Sequence, residues 1–194
     1  MRLNVGCGPH YAEGWHNTDV VEVPGVITPD QIVDPADPFP FPDGSLTAVY
    51  CGHVLEHVPW GDVPAWLADL QRAMAPGAEL AVVGPDALRV LDRWKAGTEE
   101  WGKVAGIIEG VGAYVDYWRD TLGYQWIGWD QDRHHWNCYE GRVVHALTEC
   151  GFVDVTPHGT EDDGRLNRAK LAGWPLVDDS PCQFAVTCRK DPNP

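Results

Sequence analysis

Three observations in this sequence predict an α/β domain built on a mostly parallel sheet. Arg2 to Val5 is a short run that enters a glycine turn at Gly6-Cys7-Gly8-Pro9. Leu46 to Cys51, then Val63 to Ala75, then Glu79 to Val83 read as strand, helix and strand, an order whose default is a right-handed parallel unit. A helix over Glu140 to Cys150, stopped by Gly151, precedes two more strand candidates, Phe152 to Thr156 and Gln183 to Cys188. Those last two close the sheet as a strand pair near the C-terminus. At 194 residues the chain fits one domain, 1–194, and it shows no internal repeat or interdomain linker.

Taken in order, the first strand is followed by Trp15 to Val23 (WHNTDVVEV), β-branched and apolar around Asp19, as a second. About eight residues separate Gly8 from it, fewer than a crossover helix needs with its turns, so a loop or single turn must make the connection. Six prolines between Pro24 and Asp43, at 24, 29, 35, 38, 40 and 42, exclude a long helix there. Val63, Trp66, Leu67, Leu70 and Met74 recur at helical spacing, and Pro76-Gly77 is expected to end that helix. Thr160 to Ser180 mixes charge with Gly and Pro and reads as a surface connection between the last two strands.

Charge narrows the partners. The chain carries 14 Lys plus Arg against 29 Asp plus Glu, net -15. Residues 1–86 hold 12 acidic and 2 basic side chains, and the remainder 17 and 12. Such a first half repels a phosphate backbone, which argues against nucleic acid as a partner. No apolar run reaches the roughly 18 to 20 residues of a membrane helix, and MRLNVGCG lacks the apolar stretch of a secretory signal. A cytoplasmic protein with no membrane partner is the expectation. The six cysteines form no CxxC pair, so free structural thiols are expected in place of disulfides or zinc ligands.

In open α/β sheets ligands bind beyond the carboxyl ends of the strands. The residues there are Gly6-Cys7-Gly8, Asp19, Asp34, Cys51-Gly52-His53 and Pro85-Asp86. Glycines let a ligand approach the backbone closely. An aspartate after the second strand can accept two hydrogen bonds from a ribose diol, and one before the third apolar run can take an adenine amine. Together they describe a nucleoside site.

LNVGCG, GWHNTDV, DPADPFPFPDGSLTAVYCGHVLEHV, APGAELAVVGPD and LTECGF, in that order, resemble the class I S-adenosylmethionine-dependent methyltransferase family. The resemblance runs from about residue 3 to residue 86 and resumes at Trp136 to Phe152. It implies a Rossmann-like sheet with helices on both faces and an antiparallel C-terminal strand. It also implies that Gly6, Cys7 and Gly8 face the methionine part of the cofactor, that Asp19 holds the ribose and that Asp34 lies near the adenine. Cys51, Gly52 and His53 would line the same pocket. Two positions depart from the family pattern: Asn4 stands where many relatives carry an acid, and Thr47 replaces a common Asp. S-adenosylmethionine has no phosphate, so the short first connection, and Tyr11 in place of a third glycine, favour a methyl donor over a nicotinamide dinucleotide.

For acid-base chemistry the candidates are His57 and His135. His53 and His57 straddle Glu56 four residues apart and would share a face if helical. The same pair suits a cap and a packing contact; its spacing also suits a metal, but the sequence offers no third ligand, and none is expected. His134 and His135 precede the last helix. After the strand at Glu79 to Val83, Trp94 to Tyr139, a stretch that includes both histidines, holds ten of the chain's twenty aromatics, so residues 87–139 read as a lid or acceptor wall, with an accessory core or dimer contact as the alternative. The expected reaction is methyl transfer to an oxygen or nitrogen of a small or medium-sized molecule, a natural product or glycan before a nucleic acid. A non-catalytic binding or regulatory protein on the same fold is the other reading, and a homo-oligomer is left open.

Overall fold

A computed structural model describes residues 1–34, 37–99, 134–161, 165–175 and 181–193. Its strands are β1 (Arg2–Val5), β2 (His16–Asp19), β3 (Gln31–Ile32), β4 (Leu46–Gly52), β5 (Met74–Pro85), β6 (Phe152–Pro157) and β7 (Gln183–Lys190). The described helices are α1 (Val63–Ala73), α2 (Ala87–Lys95) and α3 (Glu140–Glu149). One sheet holds all seven strands in the order β3-β2-β1-β4-β5-β7-β6. β3, β2, β1, β4 and β5 are parallel, and β7 runs antiparallel to both β5 and β6. Strand order reverses between β1 and β4, which opens the crevice in which sheets of this kind take ligands.

Side chains alternate across the pleat. Val49, Cys51, Leu80, Val82, Phe184 and Val186 join one core with Val63, Leu67 and Leu70 of α1 and Val143 and Leu147 of α3. Each such fully buried aliphatic side chain stabilises the fold by about 1.5–3 kcal/mol. Tyr50, Ala81, Val83 and Ala185 point the other way and are covered by Leu166, by Leu171 of a 3₁₀ turn at Arg168–Leu171, and by Trp15 and Trp174. The 160–180 connection therefore supplies core as well as surface: Leu166 and Leu171 are buried.

No helix lies between β1 and β2, as the short spacing requires. A side chain takes its place. Fully buried Asn17 accepts from the Ala12 N–H (2.8 Å) and the Asn4 amide (2.9 Å), while its own amide donates to the Ala12 and Trp15 carbonyls. The departure at position 4 is thus a matched amide pair inside the sheet. Thr47, the other departure, lies at the opposite end of β4 from the candidate site, with its N–H and hydroxyl on the Met1 carbonyl.

The two basic residues of the acidic first half are both staples. Arg2 donates to the Gly14 carbonyl and stacks on Trp15. Arg72 donates to the Phe39 and Phe41 carbonyls and pairs with Asp43 and Asp69, which fixes the proline-rich stretch on α1.

Several boundaries differ from the sequence reading. The second strand ends at Asp19 and not Val23, because the Asp19 carboxylate turns back onto the Val20 and Val21 N–H groups and the chain then reverses at Val23–Ile27. α1 stops at Ala73, ahead of Pro76, and Met74 already belongs to β5. β3 is only two residues long and α2 begins inside the stretch assigned to the lid; neither is foreseen. Most of that aromatic stretch, residues 100–133, lies outside the described residues. No described helix is long and apolar enough to cross a membrane.

Candidate functional site

The residues expected at the site lie together along the carboxyl edge of the parallel strands. Gly6, Cys7 and Gly8 follow β1, Asp19 ends β2, Asp34 is two residues past β3, and Cys51, Gly52 and His53 finish and follow β4. Gly6 and Gly8 both take positive φ, 63° and 53°. At Gly6 the requirement is also spatial, since a Cβ would stand 2.3 Å from Val54 Cγ2. The turn after β1 is thereby pressed against the turn after β4.

Asp19 organises the first of these turns. Its Oδ2 accepts from the Gly8 N–H (2.8 Å) and its Oδ1 from Val20 (2.8 Å). Burial pushes its carboxyl above the usual aspartate value, against the backbone N–H groups that pull it down. A carboxylate has about four lone-pair sites, so acceptor capacity remains for a diol. Burial, and next the Asp19 charge, push the Cys7 thiol up to about 12; burial likewise raises Cys51. Both thiols are buried and held in the neutral form. Asp34 is exposed on the same edge.

Past β4 the geometry differs from the expectation of a shared helical face. Leu55–His57 is a single 3₁₀ turn, and His53 precedes it with φ 56°. The tight turn carries the Glu56 side chain inward, where it is 1 % exposed, with His53 Nδ1 3.4 Å from its Oε1. Burial alone would raise this carboxyl, but the imidazole contact of His53, and then the charges of His53, His57 and His134, bring it down to about 2.

The 134–136 segment is bolted to that turn across nearly eighty residues of sequence. The His135 N–H donates to the Glu56 carbonyl (2.9 Å), and Trp136 Nε1 donates to the Leu55 and Val58 carbonyls (3.1 Å each). Trp60 packs on Trp136, and the Arg142 guanidinium lies over both rings. As a result the His134 ring meets His57, centroids 5.0 Å apart. His135, the residue singled out from the sequence, is joined to this turn through its main chain. Sequence spacing does not single out Glu56 or His134; an acid inside the apolar run Val54 to Val58 is the signal for the first. Asp86, at the end of β5, caps α2 through the Leu88 and Arg89 N–H groups.

Comparison with known proteins agrees with this fold. Residues 12–82 match the family described as a methyltransferase domain. No curated protein matches the chain by sequence. Among solved structures, a SAM-dependent methyltransferase from Archaeoglobus fulgidus is similar at 16 % identity and a TM-score of 0.57, covering 97 % of this chain and 85 % of that one. One from Mesorhizobium loti has 17 % identity, a TM-score of 0.53 and coverage of 97 % and 90 %. Phosphoethanolamine N-methyltransferase 2 from Haemonchus contortus, solved with S-adenosyl-L-methionine, has 11 % identity and a TM-score of 0.53, and covers 98 % of this chain and 48 % of that one. At such identities the likeness is one of fold. With the methyltransferase-domain match over β2 to β5 and the shared strand order, the chain has the fold of the class I S-adenosylmethionine-dependent methyltransferases.

Proposed function

We propose that this protein moves the methyl group of S-adenosylmethionine to an oxygen or nitrogen of a small or medium-sized acceptor. The observation that carries the reading is the Asp19 carboxylate on the Gly8 N–H at the strand-order reversal, with no helix N-terminus behind the turn to hold a pyrophosphate. Gly6, Cys7 and Gly8 would take the methionine part, Asp19 the ribose, and Asp34 the adenine edge. Cys51, Gly52 and His53 would close the pocket. In the transfer the acceptor atom attacks the methyl carbon in line, the carbon–sulfur bond breaks with its electron pair on sulfur, and S-adenosylhomocysteine leaves. The acceptor's proton goes to a base, for which His57 and His135 are the candidates. Positioning alone can supply much of the rate.

Calorimetry with S-adenosylmethionine, S-adenosylhomocysteine and NAD tests the first step: saturable binding of both sulfur compounds and none of NAD is expected. A folded sample that binds neither sulfur compound overturns the reading. Incubation with candidate phenols, amines and sugars, read as a mass gain of one methyl group, then separates an enzyme from a protein that only binds the cofactor. Once an acceptor is known, His57→Gln is expected to slow turnover about 10²–10⁴-fold if His57 is the base. Wild-type turnover removes it from the mechanism.

A further inference from the structure

We infer that Glu56, His57 and His134 form a binding site for one divalent first-row transition ion of the zinc, cobalt, nickel or iron(II) class. The inference goes beyond methyl transfer, because it concerns what this cluster holds whether or not S-adenosylmethionine is bound. One ligand atom from each residue lies within 4.8 Å of the other two. Around a tetrahedral ion with bonds of about 2.1 Å, ligand atoms stand about 3.4 Å apart, so the three need close by no more than about 1.4 Å.

Glu56 is the second observation. It is 1 % exposed, and among the described residues neither of its oxygens has a hydrogen bond of ordinary geometry. A buried carboxylate is expected to be paired or to coordinate a cation. His53 Nδ1, 3.4 Å from Oε1, is placed to orient the carboxylate from behind, as outer partners of metal ligands do. Two imidazoles and one carboxylate match the donor preference of borderline ions, not of magnesium or calcium, which take oxygen. Three protein ligands also leave coordination positions open.

The scaffold favours pre-organisation. Glu56 and His57 share one 3₁₀ turn, and His134 is held to that turn by the His135 N–H on the Glu56 carbonyl and by the Trp136 indole on the carbonyls of Leu55 and Val58. The Gly6 contact with Val54 places the cluster beside the glycine turn.

The test uses the full chain, stripped with a chelator and titrated with Co²⁺ followed by visible absorption, and with Zn²⁺ by calorimetry. One equivalent is expected to bind, with Co²⁺ bands of a four- or five-coordinate site and a rise in thermal midpoint. His57→Gln and His134→Gln, each checked for fold by near-ultraviolet circular dichroism, are expected to weaken binding at least tenfold. Absence of stoichiometric binding to the folded wild-type chain overturns the inference, and so does wild-type affinity in both folded variants. Should the variants not fold, histidine proton shifts in the wild-type NMR spectrum decide: the inference needs His57 and His134 to respond to Zn²⁺, and it fails if only other histidines do. S-adenosylmethionine calorimetry on the stripped protein keeps the readings apart, since cofactor binding without metal binding sinks this inference alone, and metal binding without cofactor binding sinks the other.

Discussion

The two turns that meet at Gly6 and Val54 solve the burial of polar groups in opposite ways. In the turn after β1 every named polar group has a partner: Asn17 serves Ala12, Trp15 and Asn4, and the Asp19 carboxylate takes main-chain N–H groups. In the turn after β4 the buried Glu56 faces imidazoles, with no hydrogen bond of ordinary geometry among the described residues. The first turn is braced by main-chain N–H groups on the Asp19 carboxylate. The second stores negative charge beside imidazole nitrogens, an arrangement that gains by exchanging a cation or a proton.

The largest effect is expected where the second turn is anchored. Trp136→Ala removes two indole hydrogen bonds and the packing on Trp60, and is expected to cost about 3–5 kcal/mol in denaturant unfolding. A loss below about 1 kcal/mol would mean that His134 is held to the turn by something else.

Next comes the first turn. Asp19→Ala is expected to weaken S-adenosylmethionine binding by about 1–3 kcal/mol, measured by calorimetry, as partners are stranded. Unchanged affinity would remove Asp19 from the ribose and leave it a purely internal brace.

The smallest effect lies outside both turns and calibrates them. Burial would raise the Asp69 carboxyl, but Arg72 and the Phe39 N–H hold it below the usual aspartate value. A carboxyl lowered by folding stabilises the protein above its unfolded value of about 4, and that contribution is lost as pH falls toward the lower folded value. Melting curves between about pH 5 and pH 3 should therefore fall more steeply for wild type than for Arg72→Ala, which has less to lose. Parallel curves would show that the Arg72 staple acts through its carbonyl bonds alone.

Much of this was legible in the chain because it depends on local pattern. The glycine turn, the strand at 46–51, the helix over 63–73, the helix at 140–149 and the closing strand pair all follow from apolar periodicity and from breakers. Asp19 and the strand-end glycines were legible because position after a strand fixes their edge. β3 was not, since two residues carry no period, and its pairing comes from β2. Asn17 was not, because its role lies in the side-chain hydrogen bonds it makes to Asn4, Ala12, Trp15 and Asp30, not in any propensity.

Nor could the histidines be sorted from spacing. His53 and His57 seemed paired by a helical interval, but the chain turns in 3₁₀ form there, and burial sends Glu56 inward. His134 and His135 are adjacent in sequence; main-chain bonding to Glu56 decides which ring reaches His57. Sequence alone determined the α/β class, the acidic first half and the row of strand-end residues, since each depends on residue type and order. Only the tertiary structure brought ligand atoms of residues 56, 57 and 134 within 4.8 Å of one another, because a contact across nearly eighty residues is set by packing and hydrogen bonds that no local pattern contains.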